Sequence, residues 1–442
     1  MPNQSLLIYS PRNSPRLQYT LQLIFKNLLG LSYEFTTDRP RFSAFGGAKL
    51  SYAKTPNGEA IFIYAEELLF ESDIKLFPIP AGTFNEIKTI FHHPHTAALP
   101  FDPFAATFYL VSRYEEYLPF KTDKHGRFPA ELSLSYKEGF HKVPVVNHYA
   151  LLLKQLIISN YPDFIFPEKK YQFQLTYDID MVFAFREKGV LRNVGGFLRS
   201  FIAFNFREIA FRMKVLTRLQ QDPFDTFDYQ QLLHEKYSLR PVYFFLLGDH
   251  SMYDKNIDWR KDAFRKVVKQ IADKNETGMH ASYDSNRFPE KIKIEKQRLE
   301  KMSGRNVFRN RQHFLKLQFP DTYQKLFAAG ITEDYTIGYS SQTGFRAGIA
   351  SSFYFYDLQK EISTKLHIHP FAAMDAAMFY NMKMSPDAAL AQSKQLADEV
   401  KKVNGTFTFL AHNDLISNQG PWKGWQQNFE ALISYCNAPI ET

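Results

Sequence analysis

Short apolar runs and stretches with helical spacing alternate along the whole chain. In residues 1–165, "SLLIYS" and "AIFIYA" have the length and composition of buried strands. Apolar positions in "RLQYTLQLIFKNLLG" recur at helical spacing up to Gly30, and residues 101–118 form a second predicted helix. This pattern predicts a smaller N-terminal α/β domain, which ends in the polar stretch around Pro162 and Pro167.

Residues 166–442 show a more regular alternation of strand and helix. The runs "YQFQLTYDID", "RPVYFFLLGD", "ETGMHASYDS" and "GTFTFLAHND" are predicted strands, and amphipathic stretches such as "WRKDAFRKVVKQIADKN" lie between them. This order is typical of a parallel sheet or a (β/α) barrel. The sequence therefore predicts an α/β protein of two domains, 1–165 and 166–442.

Composition narrows the class of protein. A chain of 442 residues is long for one core, and 45% hydrophobic with 23% charged residues is a globular balance. Cys436 is the only cysteine, which excludes an internal disulfide and a cysteine-rich zinc site. We see neither a signal peptide at the N-terminus nor an apolar run approaching the roughly 18 residues of a membrane span. The predicted location is the cytoplasm.

The net charge of +8 is concentrated in residues 183–220, where eight basic residues face two acidic ones. The same segment is rich in phenylalanine. The favoured interpretation is an amphipathic helix that packs on its own protein and leaves a basic face in solvent. The alternative is a peripheral membrane contact, or a docking face for an anionic or lipid-linked substrate. Nucleic-acid binding is not expected, because no recognition motif accompanies the charge.

Two acidic residues, Asp178 and Asp180, stand at the end of a predicted strand. Reactive side chains gather at the carboxyl ends of strands in barrels and open α/β sheets, and residues two apart on a strand share a face. A metal hydrolase, a haloacid-dehalogenase-type phosphatase and a sugar-nucleotide transferase all use such a pair.

Two histidines separate these alternatives. His280 and His412 each follow another predicted strand. Strand-end histidines together with an aspartate pair favour a metal hydrolase. A phosphatase would need a lysine and a second acidic pair, and a transferase would need a nucleotide-binding strand before its aspartates.

Three segments resemble motifs of the polysaccharide deacetylase superfamily, also called carbohydrate esterase family four. Along the chain they are "TYDID", "GMHASYDS" and "FTFLAHND", in the order that the family has them. The resemblance implies a deformed (β/α) barrel for the C-terminal domain. It implies that Asp178 is the general base and that His412 is the general acid. It also implies that Asp180 and His280 bind a divalent metal, which we expect to be zinc.

Two further roles follow from the same resemblance. Arg346 in "YSSQTGFRAG" would orient the base, and Asp375 in "LHIHPFAAMDAAM" would support His412. The N-terminal region, through "FDPFAATFYLVSRYEEYL" and "KHGRFPAELS", resembles an uncharacterised domain that is fused to deacetylase-like domains in bacteria. Within it, "SRYEEY" forms either a substrate wall or a buried ion-pair cluster, and we favour the cluster.

The sequence departs from the family at the third metal ligand. The second motif usually has another histidine four residues on, where this chain has Asp284. We favour His313 in "RNRQHFL" as the replacement, with Asp284 and His369 as alternatives. The proline and tyrosine that usually follow the third-motif arginine are absent, which leaves the shape of the groove open.

The predicted function is a metal-dependent hydrolase that removes an acetyl or similar acyl group from an N-acetylated sugar, glycan or glycan precursor. The expected partner is therefore a carbohydrate substrate. Two alternatives stay open. One is a glycan-binding or scaffolding protein that keeps the fold, and the other is a C–N hydrolase that acts on a small amide.

Overall fold

A computed structural model describes residues 5–438. The N-terminal part contains a four-stranded parallel sheet in the order β2-β1-β3-β4 and a separate antiparallel hairpin, β5-β6. The strands are β1 (Leu6–Tyr9), β2 (Tyr33–Thr36), β3 (Lys49–Ala53), β4 (Ile61–Tyr64), β5 (Ala81–Phe84) and β6 (Ile87–Ile90). The α-helices are α1 (Pro15–Leu21), α2 (Arg39–Ala44), α3 (Pro103–Val111), α4 (Leu134–Lys137) and α5 (Val145–Asn160).

The C-terminal part is built on a nine-stranded sheet with helices between its strands. The strands are β7 (Gln172–Ile179), β8 (Val242–Leu246), β9 (Glu276–Ala281), β10 (Arg309–Gln312), β11 (Glu333–Asp334), β12 (Phe353–Asp357), β13 (Ile362–Ile368), β14 (Ala373–Met374) and β15 (Thr406–His412). The α-helices are α6 (Val190–Ile202), α7 (Phe206–Leu216), α8 (Phe227–Tyr237), α9 (Asp262–Lys274), α10 (Glu290–Ser303), α11 (Asp321–Ala328), α12 (Pro386–Lys402) and α13 (Trp425–Asn437).

The large sheet has the order β12-β13-β11-β10-β9-β8-β7-β15-β14, and every neighbouring pair is parallel except β12 and β13. The edge beside β14 curls back toward the segment after β11. There Phe371 N donates to Ile337 O at 3.0 Å, and Gly344 N donates to Ala372 O at 2.7 Å. The sheet is therefore rolled into a deformed barrel, and the predicted α/β fold class is confirmed.

Burial explains why the central strands read as continuous apolar runs. All five residues of β8 are buried, as are the last five of β7. A parallel strand covered on both faces by other elements loses the apolar–polar alternation of a half-exposed strand. Because these strands are parallel, their carboxyl ends lie at one edge of the sheet.

The register sets the polar residues of that edge beside one another. Asp178 on β7 lies opposite His412 on β15, and His280 on β9 lies opposite Arg311 on β10. Residues that are far apart in sequence thus become neighbours at the strand ends.

One apolar core runs through both parts of the chain. Ion pairs also join them: Arg16 to Glu361 at 2.6 Å and Glu116 to Arg346 at 2.5 Å. In "SRYEEY" the buried Arg113 pairs with Glu115 and Glu116, so the buried ion-pair cluster is confirmed. The division of the chain at residue 165 stays a prediction. Among residues 5–438, no helix combines the length and apolarity needed to cross a membrane.

Candidate metal centre

Three side chains from the carboxyl ends of three parallel strands converge on one point. Asp180 follows β7, His280 lies in β9, and His313 follows β10. The Asp180 Oδ1 atom lies 3.2 Å from His280 Nε2, and Asp180 Oδ2 lies 3.6 Å from His313 Nε2. One ligand atom from each residue lies within 4.8 Å of the other two. This is the spacing that a shared cation requires.

Hydrogen bonds behind the two histidines fix which nitrogen faces Asp180. His280 Nδ1 donates to the Arg311 carbonyl oxygen at 2.8 Å, and His313 Nδ1 donates to Asp254 Oδ1 at 2.8 Å. Each neutral ring therefore turns an unprotonated Nε2 toward the carboxylate. Metal-binding histidines in proteins are held in this way by partners on the far ring nitrogen.

The cluster has a surplus of acceptors. Within residues 5–438, Asp180 Oδ1 is buried and accepts no hydrogen bond, although two nitrogen lone pairs face the same carboxylate. Buried acceptors that face one another are unfavourable unless a cation lies between them. Without a metal, a proton supplies that charge. Burial opposes protonation of His313, but Asp180 and Asp254 outweigh it and raise its pKa to about 9. The residues present fit a divalent metal.

Asp178 lies beside this cluster and is held by an arginine. Its Oδ1 accepts from Arg311 Nη1 at 2.8 Å, and its Oδ2 lies 3.6 Å from His280 Nε2. Arg311 is fully buried and is fixed by Thr176 Oγ1 at 3.0 Å and Tyr335 O at 2.8 Å. The arginine that orients Asp178 is therefore Arg311.

Arg346, which the sequence suggested for that role, is elsewhere. Its Nε and Nη2 atoms donate to the two oxygens of Glu116 at 2.9 and 2.5 Å, and its Nη1 donates to Gly338 O at 3.2 Å. This corrects the expectation. The segment that carries Arg346 follows β11 and turns toward the N-terminal part, so its guanidinium neutralises the buried Glu116.

On the other side of Asp178, His412 pairs with Asp375. The Asp375 carboxylate binds His412 twice, with Oδ1 2.6 Å from Nδ1 and Oδ2 accepting from the backbone N–H at 2.7 Å. Burial opposes protonation of the imidazole, but the negative charge of Asp375 outweighs it and raises the pKa of His412 to about 10. Below that pH the ring is an imidazolium whose Nε2 is not engaged by Asp375.

We expect the His412–Asp375 pair to make stability depend on pH. A pKa of about 10 in the folded state lies above the ordinary 6.5, so the stabilisation is full below pH 6.5 and is lost as pH rises through 10. The difference in unfolding free energy between wild type and Asp375→Asn should therefore be largest near pH 6 and narrow toward pH 10. Urea unfolding of both proteins in a chelator measures it, and a difference that is constant with pH contradicts the assignment.

The metal cluster and its neighbouring acid and base residues line one cavity of about 370 Å³. Asp178, Asp180, His280, His313 and His412 all line it. The N-terminal part of the chain lines the same cavity with Lys124, His125 and Arg127. A 2.7 Å hydrogen bond from Arg127 Nη1 to Phe314 O fixes that segment next to His313. The two parts of the chain therefore build the cavity together.

The other two residues considered as third ligand lie outside the cluster. Asp284 pairs with Lys291 at 3.1 Å. His369 stacks on Tyr335 with ring centroids 4.3 Å apart, and burial lowers its pKa to about 3. Of the three candidates, the structure brings only His313 to Asp180 and His280.

Sequence reasoning missed three residues of the site. Arg311 stands two positions before His313 in β10, but the polar run "RNRQ" has no apolar period that would predict a strand. Asp254 lies in a loop after β8 and has no sequence signal. Asp414 lines the cavity two residues after His412, and burial raises the pKa of its carboxyl to about 7.

Among known protein families, one matches the N-terminal region of the chain. Residues 6–162 match the model of a family of unknown function, DUF7033. No curated protein matches the chain.

Solved structures similar to this chain include polysaccharide deacetylases. A Mycobacterium smegmatis protein described as a polysaccharide deacetylase is 14% identical, with a TM-score of 0.42 over 63% of this chain and 88% of its own. A Bacillus cereus polysaccharide deacetylase is 12% identical, with a TM-score of 0.29 over 61% of this chain and 86% of its own. The allantoinase Puue is 10% identical, with a TM-score of 0.41 over 61% of this chain and 85% of its own.

Proposed function

We propose that this protein is a metal-dependent hydrolase that removes an acetyl group from an N-acetylated sugar unit of a glycan or glycan precursor. One observation carries the proposal. The cluster of Asp180, His280 and His313 shares a cavity with a carboxylate held by an arginine and with an imidazole held by a carboxylate. The carbohydrate class of the substrate rests on the motif resemblance in the sequence.

Asp180, His280 and His313 would hold the metal. Two imidazole nitrogens and one carboxylate oxygen form a donor set that zinc accepts, and three protein ligands leave a coordination position open. When bound, the metal supplies Lewis acidity, which polarises an amide carbonyl and acidifies a water molecule. We infer zinc as the natural metal.

Asp178 would act as the general base. Arg311 fixes its carboxylate at the cavity wall, within 3.6 Å of His280 Nε2 and therefore next to the metal cluster. From this position Asp178 can accept the proton that a water molecule loses as it attacks the acetamide carbon.

His412 would act as the general acid. Its raised pKa keeps the ring protonated at neutral pH, and Asp375 holds Nδ1 so that Nε2 carries the proton to be transferred. When the C–N bond breaks, the leaving amine takes this proton and acetate is released. Base and acid lie on neighbouring strands, β7 and β15, so both reach one substrate.

Metal analysis together with acetate release tests this function. We expect the purified wild type, loaded with zinc and desalted, to hold about one metal per chain and to release acetate from N-acetylated oligosaccharides. Asp180→Asn and His313→Gln should lose the metal and the activity together. Asp284→Asn and His369→Gln are matched controls outside the cluster and should keep both.

The alternatives give different results. Wild-type protein that takes up no zinc and releases no acetate, but binds the oligosaccharides, would be a glycan-binding protein. Zinc-loaded protein that hydrolyses a small cyclic amide and leaves N-acetyl sugars intact would be a different C–N hydrolase. Either result overturns the proposed deacetylation.

A further inference from the structure

Helix α6 exposes its apolar face to solvent. Six large apolar residues recur at helical spacing within an arc of about 120°. Each of them is more than half exposed: Val190, Leu191, Val194, Leu198, Phe201 and Ile202. A surface helix of a globular protein normally turns such a face toward the core. The apolar face of α6 is therefore left without a partner among the described residues.

The opposite, polar side of α6 packs on the protein. Arg192 donates to the backbone oxygens of Lys255 and Asn256 at 2.7 and 3.4 Å, and Asn193 donates to Phe185 O at 3.1 Å. The one buried residue of the helix is Ser200. This corrects the favoured sequence interpretation, in which the apolar face packs inward and the basic face is solvated. Helix α6 is held by its polar side.

The turn between α6 and α7 extends the exposed apolar surface. Phe204 in the turn is 79% exposed, and Phe206 at the start of α7 is 57% exposed. Their rings contact each other with centroids 6.5 Å apart, and Phe206 contacts Phe201 at 6.2 Å. On α7, Met213 adds a further half-exposed side chain. We call residues 190–219 the hairpin surface.

Basic side chains surround this apolar surface. Within residues 5–438, four exposed cations of the hairpin surface form no ion pair: Arg199, Arg207, Lys214 and Arg218. A cavity of about 1100 Å³ lies beneath the hairpin and is lined by Lys188, Arg192, Arg199, Arg207 and Arg212. Among the described residues that line it, Glu208 is the only acidic one, and it pairs with Arg212 at 2.9 Å. The four unpaired cations, Arg199, Arg207, Lys214 and Arg218, are therefore available for anions from outside the chain.

We propose that the hairpin surface docks this protein onto a membrane that contains anionic phospholipids. Exposed leucine, isoleucine and phenylalanine side chains would enter the boundary between headgroups and acyl chains, and the unpaired arginines would bind lipid phosphates. The apolar side chains and the basic side chains of the hairpin surface both suit an anionic membrane. A helix of 13 residues followed by one of 11 is too short to span a bilayer and lies in its interface.

Charge argues against a second copy of the chain as the occupant. A symmetric contact between two apolar faces would bring the arginines of one copy against those of the other. The basic residues of 183–220 outnumber the acidic ones by eight to two, so the two copies would repel each other. An anionic lipid surface instead neutralises the same charges.

Docking in this way holds the candidate metal centre near the membrane. Met181 lines the cavity beneath the hairpin, and its neighbour Asp180 lines the cavity of the metal cluster. This arrangement favours a glycan precursor attached to a membrane lipid over a soluble sugar. Only this substrate preference rests on the proposed function, because the docking surface does not include the metal cluster.

Vesicle co-sedimentation tests the docking. We expect wild-type protein to bind vesicles of phosphatidylglycerol and phosphatidylcholine far better than vesicles of phosphatidylcholine alone, with binding that weakens as salt rises. Arg199→Gln with Arg207→Gln should weaken binding to the anionic vesicles about 30-fold. Leu198→Gln with Ile202→Gln should weaken it at least as much.

Matched controls remove equally exposed side chains elsewhere. Lys293→Gln with Lys301→Gln on α10, and Leu76→Gln with Leu232→Gln, should bind vesicles as the wild type does. Equal binding by wild type and hairpin variants, or no binding by wild type, would overturn the proposal. A dimer in sedimentation velocity that the Leu198/Ile202 variant abolishes would also overturn it and assign the face to a second copy. Unchanged zinc content in the hairpin variants separates this outcome from failure of the proposed function.

Discussion

The Asp178→Asn variant is expected to keep its metal and to lose about 10²- to 10⁴-fold in kcat. Asparagine has nearly the shape of aspartate and can still accept a hydrogen bond from Arg311, but it cannot take a proton from water. Asp178 is not one of the three clustered ligands, so zinc content should stay at the wild-type level. Acetate release under saturating N-acetylated oligosaccharide, beside zinc analysis of the same sample, measures both quantities.

Asp284→Asn is the control for this experiment. Asp284 pairs with Lys291 and does not line the cavity, so its kcat should equal that of the wild type. If Asp178→Asn lost its zinc, Asp178 would be a metal ligand. If the variant kept both zinc and wild-type kcat, the general base would have to be another residue.

Substitutions of two buried arginines, Arg311 and Arg346, are expected to distinguish an effect on stability from an effect on catalysis. Arg311→Met leaves the buried Asp178 without its arginine and should lower the unfolding free energy by about 3–5 kcal/mol. Arg346→Met removes one of the two arginines that pair with the buried Glu116, so it should lower the unfolding free energy by less. Only Arg311→Met should also lower kcat, by about 10- to 100-fold, because only Arg311 orients a residue of the site. Denaturant unfolding and acetate release at a temperature where both variants are folded give the two numbers.

Arg346→Met is the control for Arg311→Met. Both arginines are buried and bind one carboxylate, and the substitution is the same. A fall in kcat of equal size in both variants would show that loss of packing, and not loss of orientation at Asp178, reduces catalysis. A larger fall in Arg346→Met would favour the sequence expectation over the geometry.

The hydrophobic pattern alone was enough to predict the α/β class and to place the acidic and histidine residues at strand ends. Strand period and burial are local properties, so a run such as "RPVYFFLLGD" reveals its element without knowledge of its neighbours. Parallel strands bring their carboxyl ends to one edge. That rule allowed Asp178, Asp180, His280 and His412 to be grouped before their neighbours were known.

Which arginine meets Asp178 depends on tertiary structure. Arg311 and Arg346 both lie outside the runs that the sequence predicts as strands, and local sequence does not distinguish them. Arg311 on β10 reaches Asp178 on β7 past the two strands that lie between them, whereas the segment after β11 carries Arg346 to Glu116. The order of strands in a sheet is a long-range property that no local pattern contains.

The hairpin surface shows the same limit for a helix. The sequence predicted an amphipathic helix within residues 183–220, because apolar side chains three and four apart share a face, and the structure contains two helices there, α6 and α7. The sequence did not determine which face turns inward. That choice depends on what the rest of the fold offers, and the carbonyl oxygens of Phe185, Lys255 and Asn256 hold the polar side. The sequence determined the pattern of each element, and only the tertiary structure decided what each pattern faces, because partners are chosen by distant parts of the chain.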